Sequence, residues 1–361
     1  MKEPIMIRFL FTIILLTISC SDSKDTRANR DLIIGAFETE NYVLKTEKGI
    51  LNPTQADTTN LTVRAGSPEF TAQLSNKTSQ AITIQLTVSN IPLQLNLKAD
   101  DEELSDIDSL QGSLEKSWEI IIPENSSVQL ESSQNPAEPF EFLAFGDIQD
   151  GIDNFIDVVN LINQQANIDF VLFLGDLTMN SDLEEFQKIE EMFAKINFPI
   201  YSTPGNHDVR SSTRYQDYFG KASYSWDYRS VRFTSVDSAS WTLSKSSWEQ
   251  YKSWLQQAKN QTHIVFSHIA PTEPFGLRGG HWRSRREANA FIAESSRADV
   301  DAMFYGHLHT LDIYSLAGIP VYISGGGGAF QEFFDGIERH FLKVSVNPSN
   351  SQIGVSIVRV D

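Results

Sequence analysis

The chain has 361 residues, of which 40% are hydrophobic and 21% charged, so it is long and apolar enough for one large domain or two ordinary ones. It has 29 Lys and Arg against 47 Asp and Glu, and its net charge of -18 argues against a general nucleic-acid-binding protein, which needs a basic face. The single cysteine excludes an intrachain disulfide and a cysteine-rich metal site.

Residues 1–19 have the pattern of a secretory signal peptide. A short start with two basic residues precedes an apolar run over residues 9–18, which is too short to span a bilayer as a helix. The sequence LTISC that follows, over residues 16–20, resembles a bacterial lipobox, in which cleavage before the cysteine precedes lipidation of its thiol. We therefore expect Cys20 to be lipidated and to anchor an extracytoplasmic protein to a bacterial membrane, with the outer membrane or cell surface as its expected location. An ordinary signal peptide with an incidental cysteine is the alternative.

The polar residues 20–30 are predicted to form a tether, and residues 31–131 a small all-β domain of the immunoglobulin-like sandwich type. Residues 82–88 alternate between aliphatic and polar side chains, which is the period of a half-buried strand. Residues 70–74 and 120–122 have the composition of further strands, and no convincing helix interrupts them. Because this region has no histidine and no cluster of catalytic side chains, we expect it to be a spacer or packing domain.

Residues 132–139 contain two prolines and are predicted to be a linker to a second domain over residues 140–361. In this second domain, apolar strands alternate with amphipathic helices, which is typical of an α/β fold with a buried sheet flanked by helices. Strands are predicted over residues 140–145, 170–174, 199–202, 264–266 and 302–305, and helices over residues 152–162, 183–196, 248–255 and 287–298. Short strands after residue 311 indicate added antiparallel pairing.

Each of these five predicted strands is followed by Asp, Asn or His. The fragments are Gly146-Asp147-Ile148-Gln149, Gly175-Asp176, Gly205-Asn206-His207-Asp208, Ser267-His268 and Gly306-His307-Leu308-His309. Ligands of open α/β sheets bind beyond the carboxyl ends of strands, so these side chains are expected to meet at one edge. Mixed oxygen and nitrogen donors suit first-row metals such as Mn, Fe or Zn, whereas calcium prefers oxygen alone. The alternative is a set of polar strand ends that are satisfied by the protein itself.

The order of these fragments resembles the calcineurin-like metallophosphoesterase superfamily, over about residues 140–330. The resemblance implies a layered β-sheet sandwich flanked by helices and a dinuclear metal centre bridged by Asp176. The other implied ligands are Asp147, Gln149 and His309 for one cation, and Asn206, His268 and His307 for the other. His207 is implied to lie outside the ligand set, near the scissile bond, with Asp208 orienting its ring.

Two positions depart from patterns in this superfamily. Gln149 stands where most members have His, so the first cation is expected to be bound more weakly, or Gln149 to act through hydrogen bonds. Purple acid phosphatases have Tyr three residues after the bridging Asp, whereas this chain has Met179, so an iron–tyrosinate centre is not expected.

The implied activity is hydrolysis of phosphoesters by a metal-activated hydroxide, with His207 protonating the leaving alkoxide. A small phosphomonoester, phosphodiester or nucleotide is the expected substrate, because so acidic a protein repels polyanions. The alternative function is a non-catalytic surface lipoprotein that uses the fold as a binding module. The oligomeric state, the native metals and the choice between monoester and diester stay open.

Two further segments have two interpretations each. Arg278, Arg283 and Arg285 form a basic run around Trp282, which would bind substrate phosphate or an aromatic base, or would be a solvated loop that pairs with acidic neighbours. The four glycines at residues 325–328 would allow close backbone approach to the metal site, or would form a flexible turn.

Overall fold

The structure is a computed structural model that describes residues 23–107, 113–133, 138–210 and 214–360. The predicted signal peptide and the predicted lipidation of Cys20 lie outside the described residues and remain predictions. In the part of the chain that is described, no helix is both long enough and apolar enough to cross a membrane.

The N-terminal region is all-β apart from one short helix, as predicted. Its elements are α1 (Lys24–Asp31), β1 (Ala36–Glu38), β2 (Tyr42–Lys48), β3 (Leu51–Ala56), β4 (Asn60–Ala65), β5 (Thr71–Asn76), β6 (Ile82–Ser89), β7 (Asn96–Ala99), β8 (Glu102–Glu103), β9 (Glu115–Ile122) and β10 (Ser127–Ser133). They form a six-stranded sheet in the order β1-β2-β5-β10-β7-β8 and a four-stranded sheet in the order β3-β4-β6-β9. One apolar core includes Leu44 and Leu74 from the first sheet and Leu86 and Trp118 from the second, so the two sheets form a sandwich.

The prediction of a tether over residues 20–30 is wrong for the part that the structure describes, because α1 occupies most of it. The side chain of Arg27 is fully buried, and its Nε and Nη2 atoms donate to Asp237 at 2.7 and 3.1 Å. Asp31 is also buried and accepts hydrogen bonds from the backbone of Ala222 and Ser223. These partners lie about 200 residues away along the chain, so local polarity alone gave no sign of them.

The C-terminal domain has two sheets packed face to face and helices outside, which is the layered arrangement that the resemblance implies. The first sheet has the order β13-β12-β11-β20-β21 and the second β14-β15-β16-β17-β19-β18. The strands are β11 (Phe140–Phe145), β12 (Phe170–Phe173), β13 (Ile200–Ser202), β14 (Tyr224–Tyr228), β15 (Val231–Ser235), β16 (Thr262–Phe266), β17 (Ala302–Tyr305), β18 (Leu311–Leu316), β19 (Ile319–Ser324), β20 (His340–Asn347) and β21 (Gln352–Arg359). The helices are α2 (Ile152–Ile162), α3 (Leu183–Phe193), α4 (Arg214–Phe219), α5 (Lys245–Gln257) and α6 (Arg285–Arg297).

Aromatic packing joins the two sheets. The rings of Phe142 and Phe170 stack at 5.3 Å, and both contact Phe233 of the opposite sheet edge-on at 5.6 Å. Outside the sheets, α2 and α3 bury an apolar stripe against β11 and β12, while α5 and α6 cover β16 and β17. Large buried rings contribute roughly 1.5–3 kcal/mol each through the area they remove from water, so this layer is a rigid support for the strand ends.

The strands that carry the predicted ligands run parallel within each sheet: β11, β12 and β13 in one, and β16 and β17 in the other. Their carboxyl ends therefore meet at one edge of the sandwich. The N-terminal domain packs beside the first sheet, where the side chain of Asn90 pairs with both backbone groups of Ile200 at 2.8 and 2.9 Å.

Candidate metal centre

Four of the predicted site residues have left-handed backbone conformations. Asp147, Gln149, Asp176 and His307 have φ angles of 71°, 49°, 55° and 73°. Residues other than glycine adopt such angles at a cost of about 1–3 kcal/mol each, and they persist where the surroundings fix them, commonly at functional sites. Here the loops after β11 and β12 hold each other in place, because the amides of Asp147 and Ile148 donate to the carbonyls of Gly175 and Asp176 at 2.9 Å.

The carboxylates and imidazoles of five predicted ligands converge into two groups that share one residue. Donor atoms of Asp147, Asp176 and His309 lie within 4.8 Å of one another, and so do those of Asp176, His268 and His307. Asp147, Asp176 and His268 are almost completely buried. The groups could therefore hold two ions with Asp176 between them, in the division that the resemblance implies.

Each of the three histidines uses one ring nitrogen to bond a backbone carbonyl. His268 Nδ1 lies 2.7 Å from the Leu174 oxygen, His307 Nε2 lies 2.9 Å from the Gly279 oxygen, and His309 Nδ1 lies 2.5 Å from the Phe330 oxygen. Because a carbonyl only accepts, the bonded nitrogen must carry the proton, and in a neutral ring the other nitrogen is then a bare electron-pair donor. Carbonyl partners of this kind orient histidine ligands in metal sites, so this donor set fits a pair of cations.

The electrostatics of the cluster favour bound positive charge. Burial lowers the pKa of His268 and of His309, but Asp176 and Asp147 more than offset it and raise each pKa to about 9. Burial and the neighbouring His268 lower the pKa of His307 to about 4. Burial alone would raise the pKa of Asp176, yet His268 beside it holds that pKa below its usual range. Protons on His268 and His309 thus compensate the carboxylates, and a metal must displace them because it binds only the neutral ring.

The two amide side chains of the predicted ligand set, Gln149 and Asn206, also lie beside the clustered carboxylates and imidazoles. Gln149 Nε2 donates to Asp176 Oδ2 at 2.9 Å and lies 3.2 Å from His309 Nε2. Asn206 Oδ1 lies 3.2 Å from His268 Nε2. Asn206 already directs its oxygen toward the histidine, whereas Gln149 would have to turn its amide over to present Oε1 as a ligand.

The predicted contact between Asp208 and the ring of His207 is wrong. Asp208 is fully buried, and its carboxylate accepts from the Thr178 amide and hydroxyl at 2.9 and 3.0 Å and from the Gly205 amide at 2.9 Å. The Met179 carbonyl instead holds the ring of His207, with its oxygen 2.8 Å from Nδ1. Asp208 therefore joins the loop that carries Asn206 to the loop that carries Asp176, and burial, together with Asp176, raises its pKa to about 7.

Sequence reasoning missed Arg210. Its Nη2 atom lies 2.9 Å from His207 Nε2, and its side chain is exposed beside the cluster. The signal was present in the sequence, since a cation stands three residues after His207 in a strongly acidic chain. A guanidinium at this position could donate to the oxygens of a phosphoryl group.

Glycines allow close backbone approach at two places around the centre. A Cβ atom on Gly205 would lie 2.1 Å from Asp176 Oδ1, and one on Gly327 would lie 2.4 Å from the Gly146 oxygen. The amides of Gly327 and Ala329 donate to the carbonyls of Gly146 and Asp147 at 2.8 and 3.0 Å. The run at residues 325–328 thus packs against the loop that carries Asp147, which favours close approach over a flexible turn.

The basic segment is only partly near the centre. Trp282 is buried and donates to the Ile269 carbonyl at 2.9 Å, so it is not available to stack on a base as predicted. Arg283 lies over the ring of Trp241 at 4.5 Å, and Arg285 is the exposed first residue of α6. Arg278 lines a cleft of about 310 Å³ together with Trp241, His307 and Glu332. Arg278 thus shares a cavity with His307, a predicted metal ligand.

The C-terminal domain matches a known protein family. The profile of the family described as Calcineurin-like phosphoesterase matches residues 140–311, so this domain belongs to that family and the predicted resemblance is confirmed. A comparison with curated proteins finds no match.

Similar solved structures include PhoD, with 9% identity, a TM-score of 0.49, and coverage of 82% of this chain and 88% of that one. They also include a dimetal phosphatase from Danio rerio, with 11% identity, a TM-score of 0.46, and coverage of 62% of this chain and 100% of that one. A third is GAP50, the anchor in the inner membrane complex of Plasmodium, with 15% identity, a TM-score of 0.47, and coverage of 62% and 85%.

Proposed function

We propose that the protein hydrolyses small phosphoesters at a dinuclear metal centre in which Asp176 bridges the two ions. The observation that carries this proposal is the pair of buried Asp–His groups that share Asp176, with every histidine held by a backbone carbonyl. The cluster attracts positive charge, which protons on His268 and His309 supply in the metal-free site and which bound cations would supply in their place. Membership of the phosphoesterase family supports the same reaction.

Different residues of the chain are proposed to have different roles in the reaction. Two bound cations would lower the pKa of a water and neutralise charge on the phosphoryl oxygens. Arg210 lies where its guanidinium can move from His207 Nε2 onto a phosphoryl oxygen when substrate enters. His207 then has Nε2 free to carry a proton to the leaving alkoxide, while Met179 fixes its other nitrogen. Arg278 is proposed to contact the organic part or the phosphate of the substrate from the adjacent cleft.

We also propose that the mature protein is an extracytoplasmic lipoprotein that is anchored through Cys20. The support comes from the lipobox-like sequence and the apolar run before it. Helix α1 begins at Lys24, so at most three residues separate it from Cys20, and a fully extended chain spans about 3.3–3.6 Å per residue. An anchor at Cys20 would therefore hold the catalytic domain close to the membrane.

The proposed activity is tested with the purified full-length protein, first stripped of metal and then reloaded separately with Mn, Fe or Zn. We expect release of phosphate or of aryl alcohol from an aryl phosphate or a bis-aryl phosphate only after reloading. Asp147→Asn is expected to reduce the turnover by about 100-fold or more, as loss of a ligand to a charge-stabilising centre does. Asp299→Asn is the control, because Asp299 is exposed and has a similar φ of 53° but lies outside the cluster. A protein that binds metal but hydrolyses neither ester would favour the binding-module alternative.

A further inference from the structure

Two loops beside the metal centre expose phenylalanine rings. We call the set of Phe275, Phe330, Phe333 and Phe334 the aromatic rim. Phe330 and Phe333 are each 89% exposed, which is the highest exposure among the large hydrophobic residues of the described chain. Phe275 contacts Phe334 at 4.6 Å between ring centroids, and Phe334 contacts Phe333 at 5.1 Å, so the two loops meet. Clustered exposed apolar groups of this kind mark interaction sites.

Hydrogen bonds connect the loop of the aromatic rim to His309, a predicted metal ligand. The Phe330 carbonyl accepts from His309 Nδ1, and the amide of Glu332 donates to the His309 carbonyl at 3.1 Å. Glu332 also lines the cleft that contains His307 and Arg278. Whatever covers the rings of Phe330 and Phe333 is therefore held beside the cleft that contains His307 and Arg278.

The degree of exposure indicates what kind of partner covers these rings. At 89% exposure, most of the Phe330 and Phe333 rings lies in water, and the edge-on contact with Phe334 covers little of Phe333. A flat soluble ligand would stack on one face of such a ring and leave the other in water, whereas an apolar phase would cover both faces. Aromatic side chains that protrude from a loop are favoured at the interface of a lipid bilayer, where each ring enters the boundary of the acyl chains.

The charge around the aromatic rim fits the same partner. The segment at residues 278–286 has four arginines and no acidic residue, in a chain whose net charge is -18. Arg278 and Arg283 are exposed, and they lie three and eight residues after Phe275 in the same loop. The guanidinium groups in the loop of Phe275 match the phosphate layer above the acyl chains of a bilayer. The acidic neighbours of Phe333 and Phe334 have other partners: Asp335 accepts from the Thr310 hydroxyl at 2.6 Å, and Glu332 lines the cleft.

We propose that the aromatic rim and the adjacent arginines form a surface that docks onto a lipid bilayer and brings the metal centre to the level of the lipid phosphates. The substrate would then be a phosphoester with an acyl or isoprenoid chain, presented by the membrane. This assignment of the substrate rests on the hydrolase function proposed above, whereas docking itself does not.

Docking is tested with a fluorescent label on the rim. Cys20 is the single cysteine of the chain, so Cys20→Ser with Phe333→Cys yields a full-length protein with one thiol, which is labelled with an environment-sensitive dye. The control has Cys20→Ser with Ile121→Cys, because Ile121 is also exposed, at 65%, but lies on β9 of the N-terminal domain. Vesicles of equal parts phosphatidylcholine and phosphatidylglycerol are added to each protein. We expect a blue shift and brighter emission at position 333 and no change at position 121. No shift at position 333, or equal shifts at both positions, would overturn the proposal.

The substrate class is tested by comparing two esters. We measure kcat/KM for phosphatidic acid in vesicles and for a soluble aryl phosphate, and take the ratio of the two values. Phe330→Ser with Phe333→Ser should lower this ratio by about tenfold or more, the loss expected when a buried phenylalanine ring is removed. The control Ile121→Ser should leave the ratio as in the wild type. A wild-type protein that cleaves the aryl phosphate but not the lipid, or a ratio that the rim variants do not change, would exclude a lipid substrate. A blue shift at position 333 without hydrolysis of either ester would support docking and contradict the hydrolase function.

Discussion

At the scale of single residues, the candidate centre combines strained backbone with buried charge. Asp147, Asp176 and His307 have left-handed φ angles, which put their side chains into one space at the strand ends. The sequence predicted which residues meet, because each stands directly after an apolar strand. It did not predict how the surrounding groups pair: the Asp208 carboxylate holds two loops together, and the Met179 carbonyl orients His207. Backbone carbonyls have no signature in a sequence, so partners of this kind cannot be read from it.

His207→Ala tests the proton donor. We expect turnover of an alkyl phosphate to fall by about 10²–10⁴-fold, since its leaving alkoxide needs a proton. Turnover of an aryl phosphate should fall much less, because a phenolate leaves without one. Metal content should match the wild type, as measured on the purified protein, because His207 lies outside the two Asp–His groups. Equal losses on both esters would contradict the role of His207 as an acid.

A second histidine gives a prediction for stability against pH. His263 lies buried in β16, where burial and the nearby Arg232 lower its pKa to about 3, against 6.5 in an unfolded chain. Between pH 3 and pH 6.5, the unfolded state therefore binds a proton at this histidine more readily than the folded state does. The stabilising contribution of the neutral ring is present above pH 6.5 and is lost as the pH falls toward 3, by about 5 kcal/mol in total.

The measurement compares urea denaturation of the wild type and of His263→Gln at several pH values above and below 6.5. Glutamine keeps a hydrogen-bonding group for the Thr234 hydroxyl, which lies 2.8 Å from His263 Nε2, but it does not titrate. The variant should therefore lose this part of the pH dependence. The same slope in both proteins would show that His263 is not its source.

At the scale of elements, the sequence predicted the parts with strong periodicity. The helices over residues 152–162 and 183–193 and the strands β11, β12 and β17 appear within a few residues of their predicted bounds, because each has a clear apolar face or an unbroken apolar run. The sequence did not predict α1, which is polar overall and whose buried residues are Arg27, Ala28 and Asp31. A helix of this kind is fixed by partners that are distant in sequence, and no local pattern reveals them.

The buried ion pair between Arg27 of α1 and Asp237 is expected to stabilise the folded protein. Arg27→Met should lower the free energy of unfolding by about 3–5 kcal/mol, because it leaves Asp237 buried without its charged partner. Arg30→Met is the control in the same helix: Arg30 pairs with Asp217, whose side chain is 52% exposed, so its loss should cost about 1 kcal/mol or less. Chemical denaturation of both variants measures the difference. Equal small losses would mean that α1 does not depend on the buried pair.

At the scale of the whole molecule, the structure joins two regions through specific polar contacts. Asn90 attaches the N-terminal sandwich to β13, and Arg27 attaches α1 to the loop after β15. The latter loop continues to Trp241, which shares the Gly279 carbonyl with His307. Helix α1 and the candidate centre are therefore linked through consecutive contacts, and the anchor proposed at Cys20 lies four residues before α1 in the sequence.

The proposed centre requires that two cations share Asp176. The most direct test is the metal content per chain of the purified wild type, Asp176→Asn and Asp299→Asn after identical loading with Mn and removal of free metal. We predict about two ions per chain in the wild type and in the Asp299→Asn control, and loss of both ions in Asp176→Asn, since one carboxylate serves both groups. Two ions retained in Asp176→Asn, or none in a folded wild type, would contradict the claim.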